Sequence, residues 1–284
     1  MPPNPAAAPA FTLAARLREP GIIVAPGCHD AIGAKAIAQA GFEAVYMTGN
    51  GLSASLIGAP DIGLLTMTEM VARARAIAVA ASIPLIADAD TGYGNVNNVV
   101  RTIAEYEAAG AAAVHLEDQV TPKRCGAMAG IALISKEEHA EKIAAAVRAR
   151  TRDDFLIIGR TDARIPLGLA DAIDRGRAYA AAGADLVLLE MLQSEDEMRE
   201  ALARIDAPLM FNYVEKKVPP LTAQRFGQLG FKIVCYPISS TLAYARLMTR
   251  FAAALKLTGT TAGLESEMLD LHDYERLLDR ARYA

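Results

Sequence analysis

Eight short apolar runs alternate with alanine-rich segments along the chain, and this alternation limits the possible folds more than any other feature. The intervening segments have helical spacing, as in "VVRTIAEYEAAGA", and several end in Ala-Gly, which is typical of a helix C-terminus. Strands that alternate with helices predict βα units and a parallel sheet. The predicted strands cover residues 21–27, 43–49, 84–90, 112–118, 155–162, 185–190, 208–213 and 232–237.

Eight βα units in a chain of 284 residues match the size of an α/β fold, the (β/α)8 TIM barrel. A doubly wound sheet is the alternative, but no run leads into the Gly-x-Gly-x-x-Gly turn of a dinucleotide site. We therefore predict one barrel domain over residues 11–284, after a disordered Pro- and Ala-rich tail over residues 1–10. Two helical patterns follow the eighth run. One completes the barrel, and the other is an extra C-terminal helix.

Composition and charge exclude several classes of partner. The net charge is −4 and both signs are interspersed, so we expect no nucleic-acid surface. We also expect no membrane segment, because no apolar stretch reaches the roughly 20 residues of a span. Cys28, Cys125 and Cys235 are odd in number and widely spaced, which favours neither disulfides nor a zinc site. These features predict a cytoplasmic protein with a small-molecule partner.

Polar residues recur where the predicted strands end. Catalytic groups of (β/α)8 barrels lie at the carboxyl ends of several strands, so we expect these residues to form one site at the barrel mouth. They are Asp30, Thr48, Asn50, Asp88, Asp90, Glu117, Asp118, Arg160, Asp162, Glu190, Asn212, Tyr236 and Ser239.

Five carboxylates are expected around this mouth: Asp61, Asp88, Asp90, Glu117 and Glu190. Like charges this close raise one another's pKa and require a cation. Oxygen ligands without a His or Cys cluster favour Mg²⁺, with Mn²⁺ as a possible substitute. The alternative is a structural network in which these acids pair with Arg160 or Lys123.

Cys125 lies in "TPKRCGAMAG", a long connection after the fourth strand. Its neighbours Lys123 and Arg124 are expected to lower the pKa of its thiol, and long loops are often functional lids. Cys28 and Cys235 are interpreted as buried and inert. His115 is expected inside the barrel in a minor supporting role, whereas His139 and His272 are expected on the surface.

Six ordered motifs resemble those of the isocitrate lyase and phosphoenolpyruvate mutase superfamily. They span roughly residues 20–250 and read "VYMTGNGLSASLIGAPDIGLLTMTEM", "PLIADADTGYGN", "HLEDQVTPKRCG", "GRTDAR", "FNYVEKKVPP" and "YPISSTLAYARLM". The resemblance implies that Asp88 and Asp90 organise Mg²⁺ mostly through bound water, with Asp61, Glu117 and also Asp118 nearby.

The same resemblance implies the substrate contacts. Thr48, Gly49 and Asn50 would hold the 2-oxo-acid end and Arg160 its carboxylate, while Glu190 and Asn212 would line the other side. Ser239, at the end of the eighth strand, is added to this set as a predicted substrate contact.

The "KRCG" form of the loop around Cys125 resembles that of lyases, although carboxyphosphonoenolpyruvate mutase-like members can carry a similar loop. The resemblance implies Mg²⁺-dependent cleavage of a substituted malate-type 2-hydroxy diacid to a 2-oxo acid and a second carboxylate. Tyr46 or a carboxylate-bound water would take the hydroxyl proton, and Cys125 would protonate the resulting carbanion. The alternatives are an oxaloacetate hydrolase or decarboxylase, a carboxyphosphonoenolpyruvate-type phosphonomutase, and a non-catalytic diacid-binding barrel.

One position departs from the family pattern. Lyases usually read Cys-Gly-His, but Ala127 stands here and is followed by Met128, Ile131 and Leu133. This apolar loop predicts a preference for an alkyl-substituted malate over isocitrate or 2-methylisocitrate. Family members also exchange terminal helices between subunits, which implies a homotetramer.

Overall fold

A closed barrel of eight parallel strands forms the centre of the molecule, in the order of the chain. The computed structural model describes residues 11–283, and the predicted tail over residues 1–10 lies outside them. Each of the eight predicted runs matches one strand, with β1 ending one residue beyond its run, so the TIM-barrel prediction is confirmed. The strands are β1 Ile23–Cys28, β2 Val45–Met47, β3 Leu85–Asp88, β4 Ala113–Glu117, β5 Leu156–Thr161, β6 Leu186–Leu189, β7 Leu209–Asn212 and β8 Ile233–Tyr236.

Helices follow the strands and cover the outside of the barrel. They are α1 Leu13–Arg18, α2 Ala31–Gln39, α3 Gly49–Ile57, α4 Met67–Ala81, α5 Val96–Ala108, α6 Lys136–Ala149, α7 Leu169–Ala181, α8 Glu195–Arg204, α9 Ala223–Leu229, α10 Ser239–Thr258 and α11 Leu271–Leu277. Two short 3-10 helices span Glu265–Glu267 and Arg280–Tyr283. The Ala-Gly pattern does mark helix ends, because Gly110 after α5 and Gly183 after α7 adopt positive φ angles of 90° and 99°.

Branched apolar side chains fill the barrel interior, and Leu13 of α1 packs against that cluster. Parallel register then sets the polar residues of adjacent strand ends side by side. Asp88 pairs with His115 across β3 and β4, and Glu117 pairs with Arg160 across β4 and β5. Acidic and basic side chains therefore meet at one rim because parallel register aligns the ends of neighbouring strands.

Two segments depart from the regular βα repeat. The first joins β4 to α6 over residues 118–135 and is called here the β4–α6 loop. The second is α10, a helix of 20 residues with no buried side chain. The short helix α11 after it is the predicted extra C-terminal helix. Within residues 11–283, none of the helices combines the length and apolar character that crossing a membrane requires. The single domain over residues 11–284 stays a prediction.

Candidate active site

The turn after β3 carries the two aspartates that the sequence places one residue apart. Asp88 ends the strand, and its Oδ1 accepts a hydrogen bond of 3.0 Å from the backbone N–H of Asp90. Its Oδ2 accepts one of 3.2 Å from the N–H of Gly49, the first residue of α3. Asp90 has a φ of 47°, a left-handed conformation that aspartate tolerates better than most residues. Asp88 thus fixes the turn that directs Asp90 toward the ammonium of Lys123.

Lys123 supplies the positive charge that this acid cluster needs. Its ammonium lies 2.6 Å from Asp61 Oδ1 and 2.9 Å from Asp90 Oδ1, and the side chain is buried. Four acids, Asp90 first, outweigh burial and raise the pKa of Lys123 well above its ordinary value. The group stays charged and is unsuited to Schiff-base chemistry. The structural pairing left open from the sequence therefore exists for four of the five acids, with Lys123 beside Asp61 and Asp90 and with Arg160 beside Glu117 and Glu190.

The pKa values of the two aspartates of the turn are shifted in opposite directions. Burial acts to raise the pKa of Asp88, but attraction to His115, Lys123 and Arg160 outweighs it and lowers the pKa to about 2. Burial raises the pKa of Asp90 to about 6, with repulsion from Asp88 and Asp61 adding to it and Lys123 opposing it. One carboxylate is thus firmly ionised, while its neighbour holds a proton into the mildly acidic range.

Arg160 lies among three carboxylates on the opposite side of the mouth. Its guanidinium forms a forked contact with Asp162, at 3.1 Å from Nε and 2.9 Å from Nη2. Its Nη1 lies 3.2 Å from Glu117, and its Nε lies 3.8 Å from Glu190. The amide of Asn212 donates to Glu190 at 3.0 Å. The fork fixes the plane of the guanidinium at the edge of the cavity.

The residues present fit a partly hydrated divalent cation. Both oxygens of Glu117 and Oδ1 of Asp90 are buried and lack a hydrogen bond of good geometry, so the ion pairs to Arg160 and Lys123 are what offsets their charge. Burial also raises the pKa of Glu117 well above its usual range despite the nearby Arg160, a cost that a cation would offset. The acids of the mouth do not place three ligand atoms within 4.8 Å of one another. In the described part of the chain, only Asp270, His272 and the half-buried Asp273, outside the mouth, do so. The mouth therefore suits Mg²⁺ with few direct protein ligands and several waters.

Tyr46 and His115 meet inside the barrel beneath the acids. The Tyr46 hydroxyl lies 2.6 Å from His115 Nε2, and both side chains are buried. Burial lowers the pKa of His115 to about 4 and raises that of Tyr46 well above its ordinary value, so both groups are neutral near pH 7. His115 lies inside the barrel as predicted, and its direct contact with Tyr46 is a finding that the sequence pattern does not indicate.

Cys125 reaches the mouth on the β4–α6 loop, with its backbone N–H donating to the Asp61 carbonyl at 3.0 Å. The predicted lowering of its pKa is wrong, because Lys123 points to Asp61 and Asp90 instead. Burial raises the pKa of the Cys125 thiol above its ordinary value. A neutral thiol can donate a proton, which suits an acid better than a nucleophile. Cys28 and Cys235 are buried, as expected.

A cavity with about 420 Å³ of empty space, partly open to solvent, connects these groups. Its lining is mostly polar but includes four apolar residues, Ala127, Val214, Pro237 and Ile238. The remaining lining residues are Tyr46, Thr48, Asn50, Asp61, Asp88, Lys123, Cys125, Gly126, Arg160, Glu190 and Asn212. A β-carbon on Gly126 would lie 2.5 Å from Asp162 and 2.6 Å from Arg160, so glycine lets the loop approach the guanidinium.

Several predicted site residues lie elsewhere. Ser239 does not line the cavity, because it begins α10 and its hydroxyl donates to Glu215. Gly49 sits behind the cavity, with its N–H used by Asp88. Of the apolar loop residues, Ala127 alone lines the cavity, whereas Met128, Ile131 and Leu133 do not.

Asp118 is a structural residue, and its expected place beside the metal is wrong. Its carboxylate accepts four hydrogen bonds, from Thr161, the Asp162 N–H, Tyr179 and Arg175. With its acceptors occupied, it holds the end of β5 that carries Arg160 and Asp162. His139 also differs from the expectation, since it is fully buried and lies 3.2 Å from the Leu116 carbonyl.

The fold and this mouth together define a (β/α)8-barrel enzyme for a small polar substrate. The chain belongs to the phosphoenolpyruvate phosphomutase family, whose model matches residues 13–256. The 2,3-dimethylmalate lyase of Eubacterium barkeri is 48% identical over 270 residues, which are 93% of each chain. These similarities confirm the predicted superfamily and its carbon–carbon lyase class.

Solved structures agree with this assignment. A crystal structure of 2,3-dimethylmalate lyase, described as a member of the phosphoenolpyruvate mutase/isocitrate lyase superfamily, has a TM-score of 0.90 at 37% identity. It covers 97% of this chain and 94% of its own. A phosphonopyruvate hydrolase in complex with oxalate and Mg²⁺ has a TM-score of 0.86 at 34% identity, covering 95% of both chains.

Proposed function

We propose that this protein cleaves an alkyl-substituted malate to a 2-oxo acid and a monocarboxylate, with Mg²⁺ as cofactor. The observation that carries the proposal is the mixed lining of the cavity, which combines Arg160 and carboxylates with the apolar residues Ala127, Val214, Pro237 and Ile238. Such a cavity matches a diacid that bears apolar substituents at one end. The named activity of the 48% identical relative supports the same substrate class.

In this proposal, the polar lining residues of the cavity hold the substrate's 2-hydroxy-acid end. Arg160 is already fixed by its fork to Asp162, and its guanidinium would bind the carboxylate. Thr48 and Asn50 would hold the adjacent oxygen. Asp88, Asp90, Asp61 and Glu117 would hold Mg²⁺ mostly through water. When bound, Mg²⁺ supplies a Lewis acid that lowers the pKa of the substrate hydroxyl and stabilises negative charge on its oxygen.

Three proton transfers accompany the cleavage. Tyr46 would take the proton of the 2-hydroxyl while the neutral His115 ring accepts the tyrosine's own proton at Nε2, over the 2.6 Å contact. The bond between C2 and C3 then breaks, the hydroxyl carbon becomes a ketone, and the electron pair stays on C3. Cys125, a neutral thiol on the cavity wall, would donate its proton to C3. Atoms and charge balance, because the enzyme is left with a protonated His115 and a Cys125 thiolate, and the return of one proton from His115 to the thiolate through solvent restores both groups.

We also propose that the subunits form a homotetramer, with α10 and the C-terminal helices packed against or exchanged with a neighbour. Six large apolar side chains of α10 are at least 40% exposed: Leu242, Tyr244, Leu247, Met248, Leu255 and Leu257. An apolar face of this kind marks an interface in most soluble proteins. Light scattering at micromolar concentration is expected to report a tetramer, and a monomer would reject this part of the proposal.

A product screen tests the reaction. The purified protein is incubated with 2,3-dimethylmalate, 2-methylisocitrate, isocitrate and oxaloacetate, each with Mg²⁺ or with excess chelator, and the products are identified by mass. We expect cleavage of 2,3-dimethylmalate only when Mg²⁺ is present. Oxalate and acetate from oxaloacetate would assign an acetylhydrolase instead, and carbon dioxide a decarboxylase. A rearranged phosphonate in a parallel assay would assign a mutase, and no turnover of any compound a binding protein.

A further inference from the structure

Half of the residues of the β4–α6 loop are exposed, yet the loop is held over the cavity at a few points. Lys123 and Gly126 are its buried contacts with the mouth, while residues 120–122 and 128–130 face solvent. The base of the loop is closed by an antiparallel bridge between Gln119 and Leu133 and by a hydrogen bond of 2.8 Å from the Val120 N–H to the Ala132 carbonyl. The central part of the loop, which carries Cys125, is tied to the rim by the ion pairs of Lys123 and by the Cys125 N–H on the Asp61 carbonyl, and one further contact connects it to the base of the loop.

Gln119 makes that connection with both ends of its side-chain amide. Its Nε2 donates to the Arg124 carbonyl at 2.8 Å, and its Oε1 accepts from the Arg124 N–H at 2.9 Å. The side chain is 1% exposed, so water cannot replace either hydrogen bond without movement of the loop. The paired contacts fix the peptide groups on both sides of Arg124, and the second of these leads directly into Cys125.

We propose that Gln119 is a positioning residue that holds the loop closed and thereby keeps the Cys125 thiol at the cavity. Gln119 does not line the cavity, so it acts through Arg124 and not on the substrate. Glutamine suits this position because its amide both donates and accepts, whereas a carboxylate accepts only. The catalytic part of the inference rests on the proposed function, in which Cys125 is the acid, but the structural part does not.

Thiol labelling of the full-length protein without substrate tests the structural part. An aromatic disulfide reagent is added to wild type, Gln119→Ala and Gln119→Glu, and the labelled cysteine is located by peptide mass. Because Cys28 and Cys235 are buried, Cys125 should be the labelled thiol. We expect Cys125 to react about tenfold faster in Gln119→Ala and at least as fast in Gln119→Glu, which keeps an acceptor for the Arg124 N–H but sets a buried carboxylate oxygen against the Arg124 carbonyl.

Gln193→Ala is the matched control, because Gln193 also donates to main-chain carbonyls, those of Met191 and Lys217, in another loop. It should leave the rate of Cys125 labelling unchanged. A wild-type rate in both Gln119 variants would overturn the proposal. So would an acceleration shared equally by Cys28 and Cys235, since that would report global unfolding.

Limited trypsin digestion gives an independent readout. Trypsin cuts after arginine, and the Gln119 amide occupies both main-chain groups of Arg124 that a protease would need to engage. Cleavage of the bond between Arg124 and Cys125 is expected to be faster in Gln119→Ala than in wild type and Gln193→Ala. Equal cleavage in all three proteins would contradict the proposal.

Kinetics separate this inference from the proposed function. In Gln119→Ala we expect kcat for the cleaved diacid to fall about tenfold with KM changed by less than about threefold. The reason is that the Cys125 thiol is misplaced, while the proposed substrate-binding residues Arg160, Thr48 and Asn50 are unaffected. Unchanged kcat together with faster labelling would contradict the positioning role. If wild type cleaves no diacid, the proposed function fails, and the labelling and digestion still decide whether Gln119 holds the loop.

Discussion

The ammonium of Lys123 lies 2.9 Å from Oδ1 of Asp90, although one residue is carried by the β4–α6 loop and the other by the turn after β3. The same ammonium contacts Asp61 at 2.6 Å, so one lysine ties the loop to two other segments of the rim. Breaking a buried ion pair leaves uncompensated charge and costs more than losing an exposed one.

Lys123→Met is therefore expected to lower the free energy of unfolding of the Mg²⁺-free protein by about 3–5 kcal/mol. The matched control is Lys136→Met, which removes an exposed ion pair to Asp174 and should cost far less stability, because solvent screens that pair. Urea denaturation in excess chelator measures both. Equal effects would show that the Lys123 contacts do not contribute as buried pairs.

Asp90→Asn should change how stability depends on pH. A carboxyl whose pKa is raised to about 6 in the folded protein favours folding below the unfolded value of 3.8, and this contribution is lost as the pH rises through 6. The asparagine variant should therefore lose less stability than wild type between about pH 4 and 6, by up to about 3 kcal/mol. Urea denaturation across this range with chelator present measures the difference, and parallel pH profiles would exclude the raised pKa.

Asp88→Asn should act in the opposite sense. A pKa lowered to about 2 stabilises the fold above the unfolded value of 3.8, and the contribution is lost as the pH falls toward 2. The variant should be less stable than wild type at pH 7, with a difference that shrinks in acid. A difference that grows on acidification would refute the assignment of Asp88 as the ionised partner.

Cys125→Ser should keep ligand binding and lose cleavage. A serine hydroxyl is a far weaker acid than a thiol, so kcat is expected to fall by about 10²–10⁴ while oxalate still binds in the presence of Mg²⁺. Calorimetry measures binding and product formation measures kcat. Cys28→Ala is the control for loss of a thiol outside the cavity and should keep turnover. Undiminished cleavage by Cys125→Ser would remove the thiol from the mechanism.

Ala127→His tests the origin of specificity. Ala127 is the loop position that lines the cavity where lyases of the superfamily usually have histidine, and an unpaired buried carboxylate costs several kcal/mol. Wild type should have a higher kcat/KM for an alkyl-substituted malate than for isocitrate or 2-methylisocitrate. Ala127→His should lower the ratio of kcat/KM for the alkyl-substituted malate to kcat/KM for isocitrate or 2-methylisocitrate. A wild-type preference for isocitrate, or an unchanged ranking in the variant, would reject this role.

The strands and the rim could be predicted because both depend on local sequence. Each buried strand is a short apolar run, and parallel register carries the residue at its end to the common rim, as with Asp88 beside His115. The position of Lys123 could not be predicted in this way, because it depends on the path of a loop without periodicity. The same path decides that Cys125 is buried enough to raise the pKa of its thiol.

Other differences arise from tertiary packing. His139 lies on the face of α6 that packs against the barrel. The charged residues around it in the sequence instead indicate an exposed position. Ser239 follows β8 closely, but α10 begins there and its hydroxyl turns to Glu215. Asp118 directly follows Glu117, yet strand alternation points successive side chains to opposite sides of the barrel wall. A pattern of rim acids therefore identified the mouth without separating its cavity residues from those behind it.

The most direct test of the proposed carbon–carbon cleavage is product mass after reaction of 2,3-dimethylmalate with Mg²⁺ in D₂O. Cleavage between C2 and C3, followed by proton donation from the exchangeable Cys125 thiol, predicts unlabelled pyruvate and propionate with one carbon-bound deuterium. Excess chelator should abolish both products. Recovery of intact 2,3-dimethylmalate after prolonged incubation with folded protein and Mg²⁺, or propionate without deuterium, would contradict the account.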